Sequence, residues 1–211
     1  MTQAILEQPL TEPRRHESLW KLHLRPAVDL TDDQYFALCQ INRELRLERT
    51  AEGDLIIMPP TGAETGNRNS EINRQFGNWA KQDGSGAAFG SSTGFKLPNG
   101  ADRSPDEGWV LFTRLAELTA EQKLKFLPLA PDFAIELKSP TDALQDLLAK
   151  MEEYRDNGVR LGWLINPDTR QVYIYRPGRD VEVSENPLEI SAEPELPGFV
   201  LDLREIWEPN I

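Results

Sequence analysis

Pro131-Asp132-Phe133-Ala134-Ile135-Glu136-Leu137-Lys138-Ser139 reads as a short buried strand, yet it carries two opposite charges where a strand should be apolar. Side chains alternate along a strand, so Phe133, Ile135 and Leu137 share one face. Ala134, Glu136 and Lys138 share the other, with Asp132 at its start. A carboxylate and an ammonium thus project side by side from the middle of a sheet. Buried charges are costly unless paired, hydrogen-bonded or bound to a metal. A structural ion pair is the plain explanation; a catalytic pair is the other.

Composition bounds the choice. The chain has 211 residues, room for one well-packed domain, and 39% of them are hydrophobic. No apolar run approaches the roughly 18 residues of a membrane span, and residues 1–30 lack the apolar segment of a secretory signal. One cysteine, Cys39, excludes an internal disulfide framework and fits a cytoplasmic setting. Zinc is disfavoured, because His16 and His23 stand alone near the start and no Cys/His cluster has ligand spacing. With 23 Lys and Arg against 35 Asp and Glu, the net charge is −12. Nucleic-acid affinity comes largely from neutralising phosphates, so a broad basic surface is not expected.

Working outward from the strand, Ser139 and Pro140 look like a helix start. Leu144, Leu147, Leu148, Met151 and Tyr154 then recur at helical spacing, and Gly158 ends the run. Lys150 lies at the edge of that stripe. Strands are expected at 160–165 and 171–176, with a strand pair within 180–191 and a last helical turn holding Leu203, Ile206 and Trp207. Upstream, residues 1–28 form a proline-interrupted lead-in. Thr31 opens a helix packed through Tyr35, Leu38 and Ile41, and residues 45–49 and 54–58 form a hairpin. A second helix spans 62–82, buried through Ile72, Phe76 and Trp79, with Thr61 and Glu64 matching a capping box. Residues 87–97 suit a bent strand, and Arg103-Ser104-Pro105-Asp106 leads into the apolar run Trp109–Phe112. Helices and mostly antiparallel strands in this order describe a three-layered α/β domain.

An acid at the end of one strand, followed later by Glu-x-Lys on another, is what a metal-dependent phosphodiesterase needs. Magnesium prefers carboxylate, carbonyl and phosphate oxygens and keeps several waters. Asp106 and Glu136 are the expected ligands, with the Leu137 carbonyl as an extra one. Lys138 is expected to orient the attacking water and stabilise developing negative charge. Arg68, Arg74, Lys96 and Arg103 are candidates for a phosphate-binding rim.

Ser104-Pro105-Asp106 followed by Glu136-Leu137-Lys138 resembles the PD-(D/E)xK signature of restriction-endonuclease-like nucleases. The wider pattern resembles the Uma-two family. It includes Met58-Pro59-Pro60-Thr61-Gly62, Ser91-Ser92-Thr93-Gly94-Phe95, Lys150-Met151-Glu152-Glu153-Tyr154, Gly162-Trp163 and Leu196-Pro197-Gly198-Phe199. The resemblance implies a restriction-endonuclease-like core over residues 29–211, with a mixed central sheet flanked by helices. It implies Asp106, Glu136 and Lys138 as the catalytic triple, Glu64 and Lys150 as supporting residues, and magnesium or manganese as cofactor. DNA is the expected substrate and a homodimer the expected assembly. The alternative is a catalytically inactive nuclease-fold domain that binds a protein or nucleic-acid partner.

Overall fold

The computed structural model describes residues 20–211, so most of the proline-interrupted lead-in lies outside the described residues. β1 (Trp20–Leu22) and α1 (Asp32–Ile41) come first, then β2 (Arg46–Arg49) and β3 (Leu55–Met58). The long helix α2 (Ala63–Asp83) is followed by four short strands, β4 (Gly86–Gly90), β5 (Phe95–Lys96), β6 (Asp102–Arg103) and β7 (Glu107–Leu111). Two small helices, α3 (Phe112–Ala116) and α4 (Ala120–Lys123), lead to β8 (Phe133–Leu137). Then come α5 (Leu144–Asp156), β9 (Leu161–Asn166), β10 (Gln171–Tyr175) and β11 (Glu182–Glu185). The described chain closes with β12 (Glu189–Ser191), β13 (Val200–Asp202) and α6 (Arg204–Trp207).

The central sheet has the order β11-β10-β9-β8-β7-β4. It is mixed, because β8 and β9 run parallel while its other pairs are antiparallel. A parallel pair needs a crossover, and α5 supplies it. Every residue of β8 is buried, as its sequence suggests. Phe133, Ile135 and Leu137 face α2 and the C-terminal segment. Their face is aromatic: Phe133 meets Trp163 edge-on at 4.9 Å and Phe76 at 5.6 Å between ring centres. Ala134 faces α5, packed with Met151, Tyr154 and Leu164. A second, antiparallel sheet, β1-β3-β2-β6-β5, lies on the α5 side, where Leu97 and Ala101 join that cluster.

Several expectations hold. The hairpin forms as read, with Arg49 opposite Leu55 and a turn at Gly53. Gly53 has φ +93°, which a side chain would resist. Thr31 caps α1 in a capping box with Gln34.

Others are overturned. Residues 20–22 of the lead-in form a strand on β3. Ile41 is 78% exposed, because only Tyr35 of α1 is buried. Residues 87–97 do not make one bent strand; β4 and β5 belong to different sheets, separated by a turn. α2 begins after Gly62, so no capping box forms between Thr61 and Glu64, although Glu64 does pair with Arg68 at 2.7 Å, as their i,i+4 spacing suggests. α5 begins at Leu144 rather than Pro140. Asp142 accepts the Ser139 N–H and so closes a turn before the helix starts. Finally, β11 and β12 do not pair: β11 joins β10, and β12 joins β13.

Candidate active site

A hollow of about 760 Å³ opens where the C-terminal end of β8, the start of α2, α5 and the hairpin β2–β3 converge. Asp106, Glu136 and Leu137 line it, as do Glu64, Lys150 and Glu48. Asp106 sits just before β7, and its Oδ2 accepts the Leu137 N–H at 2.9 Å. That bond ties the two acid-bearing segments together. Arg46, 3.9 Å from Asp106 Oδ1, is its one ion-pair partner among the described residues. Burial raises the Asp106 carboxyl, partly opposed by the Leu137 N–H.

Glu136 is 5% exposed. Its Oε1 receives Lys150 Nζ at 2.7 Å and the Tyr154 hydroxyl at 3.0 Å. Burial raises its carboxyl, and the Asp106 and Glu48 carboxylates add to this, while Lys150 pulls it down. Burial works against the charged form of Lys150, but Glu136 and Glu48 hold its ammonium up. The sequence places Lys150 at the rim of the α5 stripe; in the fold its amino group reaches the centre of the site.

Lys138 goes elsewhere. It lies past the end of β8, where it is not among the residues lining the hollow. Its ammonium donates to Ser139 O at 3.0 Å and to exposed Asp168 at 2.8 Å. The alternation that puts Glu136 and Lys138 on one face fails because regular strand geometry stops at Leu137. Asp132, the other acid of the focal stretch, is at the opposite end of β8. It accepts the Leu111 N–H and pairs with Arg114 at 3.0 Å, a structural role.

The rim candidates divide. Arg103 lines the hollow, whereas Arg68 binds Ile206 O and Glu64, Arg74 pairs with Glu71, and Lys96 pairs with Asp32. The hollow is lined by eight carboxylates and four cationic side chains, so it is acidic overall.

The donor set suits a hard cation. Glu136 Oε2 and Asp106 Oδ1 have no hydrogen-bond donor among the described residues, and both residues face one hollow. No group of three or more His, Cys, Asp or Glu among the described residues is arranged to hold a metal. Two carboxylates with main-chain oxygen and water is the pattern magnesium accepts, not the cage that zinc or calcium demands.

Comparison with known proteins identifies the family. The family model Uma2, described as "Putative restriction endonuclease", matches residues 32–204. The chain belongs to this family. Among solved structures, it is similar to a "putative nuclease belonging to DUF820" from Anabaena variabilis, with a TM-score of 0.70 and 20% identity over 84% of this chain and 97% of that one. No curated protein matches. The fold is of the restriction-endonuclease-like type, and the chain is a nuclease-like domain. No helix among the described residues is long and apolar enough to cross a membrane.

Two site residues escape a reading of the sequence. Glu48, on β2, is 2% exposed and receives Lys150 Nζ at 2.8 Å, the Ser104 N–H at 3.0 Å and Arg103 at 3.1 Å. Burial opposes its charge, but Lys150 and Arg103 win and hold its carboxyl low. Tyr154 reads as a core residue of the α5 stripe, which it is, but its hydroxyl also reaches Glu136.

Proposed function

We propose that this protein is a divalent-metal-dependent endonuclease that hydrolyses phosphodiester bonds in DNA. The observation that carries it is the meeting of Asp106 and Glu136 in one hollow with the Lys150 ammonium against Glu136. Magnesium or manganese held by Asp106, Glu136 and the Leu137 carbonyl would polarise the scissile phosphate and supply a bound water of lowered pKa.

The protein's own groups supply the rest. Lys150, kept charged by two carboxylates, stabilises negative charge developing on the phosphate and orients the attacking water. Tyr154 fixes the Glu136 carboxylate by its hydroxyl. Asp106 is fixed by the Leu137 N–H, which leaves its other oxygen for the cation. Glu64, at the open edge of the hollow, is a further acid within the site's wall. The lysine of the signature position, Lys138, is bound to Asp168; the ammonium that faces the chemistry comes from α5. A homodimer would place two such sites on the two strands of a duplex.

The test is cleavage of single- and double-stranded DNA by purified protein with magnesium or manganese. Asp106→Asn, Glu136→Gln and Lys150→Met are each expected to lower the rate at least about a hundredfold. Lys138→Met is expected to stay within a few-fold of wild type. Metal-independent cleavage, or cleavage indifferent to Asp106 and Glu136, overturns the proposal.

A second reading is supported by charge. An acidic hollow in a chain of net charge −12 favours a nuclease-fold domain that has become a binding module. That reading predicts partner capture unchanged in Glu136→Gln and in chelator, and no hydrolysis under any condition.

A further inference from the structure

The ammonium of Lys150 has two carboxylate partners, and they are not equivalent. Glu136 Oε1 lies 2.7 Å away and Glu48 Oε1 2.8 Å away. Glu136 keeps one oxygen without a donor. Glu48 does not: Oε1 takes Lys150 and the Ser104 N–H, and Oε2 takes Arg103. Arg103 in turn donates through Nε to Glu153 at 2.5 Å, and Glu153 lies one turn along α5 from Lys150. The four side chains form a chain of alternating charge, Lys150–Glu48–Arg103–Glu153, with Lys150 and Glu153 on α5, Glu48 on β2 and Arg103 on β6. A carboxylate so fully engaged is poorly placed to ligate a cation. It is well placed to hold a lysine.

We propose that Glu48 is the positioning residue of Lys150, retaining the ammonium beside the site when Glu136 engages a divalent cation. The inference rests on the metal site proposed above. Lys150 and a cation draw on the charge of one Glu136 carboxylate, Lys150 at Oε1 and the cation at the oxygen left without a donor. With Glu48 present, the ammonium keeps a fixed counter-charge when that of Glu136 is drawn to the cation. Without Glu48, Glu136 is the one ion-pair partner left to Lys150 among the described residues, and sharing it with a cation becomes costly. Glu48 therefore favours metal occupancy through Lys150, besides any direct attraction of its own charge.

The experiment is a calorimetric manganese titration of the full protein as wild type, Glu48→Gln, Lys150→Met and the double variant. Glu48→Gln is isosteric and leaves an oxygen for the Ser104 N–H. It is expected to weaken manganese affinity about tenfold when Lys150 is present and no more than about two- to threefold in the Lys150→Met background, the non-additivity expected of groups in contact. A purely structural ion pair changes thermal stability but gives no such coupling in metal affinity. Equal losses in the two backgrounds, or no loss in either, overturn the proposal. Should Glu48→Gln not fold, Glu48→Asp takes its place, since it keeps the charge for Arg103 while drawing away from Lys150. Manganese binding by wild type that Glu136→Gln abolishes, without coupling to Glu48, sinks this inference alone. Absence of manganese binding by wild type sinks it together with the metal site.

Discussion

Lys150 holds its charge in a nearly closed place because two acids meet it there. Removing one member of a buried, hydrogen-bonded charge set leaves the others uncompensated, which typically costs about 3–5 kcal/mol. Lys150→Met is therefore expected to lose stability of that order in metal-free urea unfolding, and Lys150→Met with Glu136→Gln to recover part of it. Glu107 is a different kind of buried acid. Its Oε1 accepts from Asn73 at 2.8 Å, its Oε2 has no partner, and burial pushes its carboxyl up to about 7 from an ordinary 4.5. A carboxyl raised on folding stabilises the fold fully below about 4.5 and loses that contribution as pH climbs through about 7. In chelator, Glu107→Gln is expected to gain on the order of 2 kcal/mol over wild type at pH 8 and nothing at pH 4. Urea midpoints across that range check it. At this scale the sequence was partly legible. Asp106 and Glu136 stand out because acids beside apolar strands demand an explanation. Glu48 does not, since a charged residue in an alternating strand ordinarily faces water, and only the second sheet's position on α5 buries it. Lys138 misleads for the opposite reason: the alternation argument assumes a strand that runs one residue further than it does.

Among the elements, those with a strong periodic stripe were readable and those defined by partners were not. α2 and α5 carry buried residues at helical spacing, and the hairpin β2–β3 has its turn written at Gly53. The onset of α5 was hidden, because Ser139 and Asp142 can cap a helix or close a turn, and the turn wins. β12 gave no sign that its partner would be β13, nine residues beyond its end. Close approach between elements is likewise fixed by glycines whose role only packing shows. A Cβ on Gly86 of β4 would lie 2.4 Å from the Trp109 ring and 2.5 Å from Val110 O; one on Gly162 of β9 would meet only the flexible end of Met151, at 2.6 Å. Gly86→Ala is therefore expected to cost about 2–3 kcal/mol and Gly162→Ala less than about 1.5 kcal/mol, measured as urea midpoints at constant m-value.

At the scale of the whole molecule, net charge and an acidic hollow make cation binding and polyanion binding interdependent. Manganese at about a hundred times its Kd is expected to raise Tm by roughly 5–10 °C, given about 2.7 kcal/mol of linkage in a domain of this size. Glu136→Gln should remove that rise in a calorimetric scan. Duplex DNA should be retained weakly or not at all in chelator, and retention with calcium should fall steeply with added salt, as counterion release requires. The three-layer architecture was readable from the order of strands and helices; the acidity of the site was not, because composition gives a total and not a distribution.

The chain of charges that joins Lys150, Glu48, Arg103 and Glu153 draws on segments that leave the ribosome far apart in time. A growing chain shorter than about 150 residues lacks the helix that brings the ammonium, and the hairpin has nothing to hold. On the reading proposed for this site, unfinished chains would therefore lack the ammonium and be unable to cut.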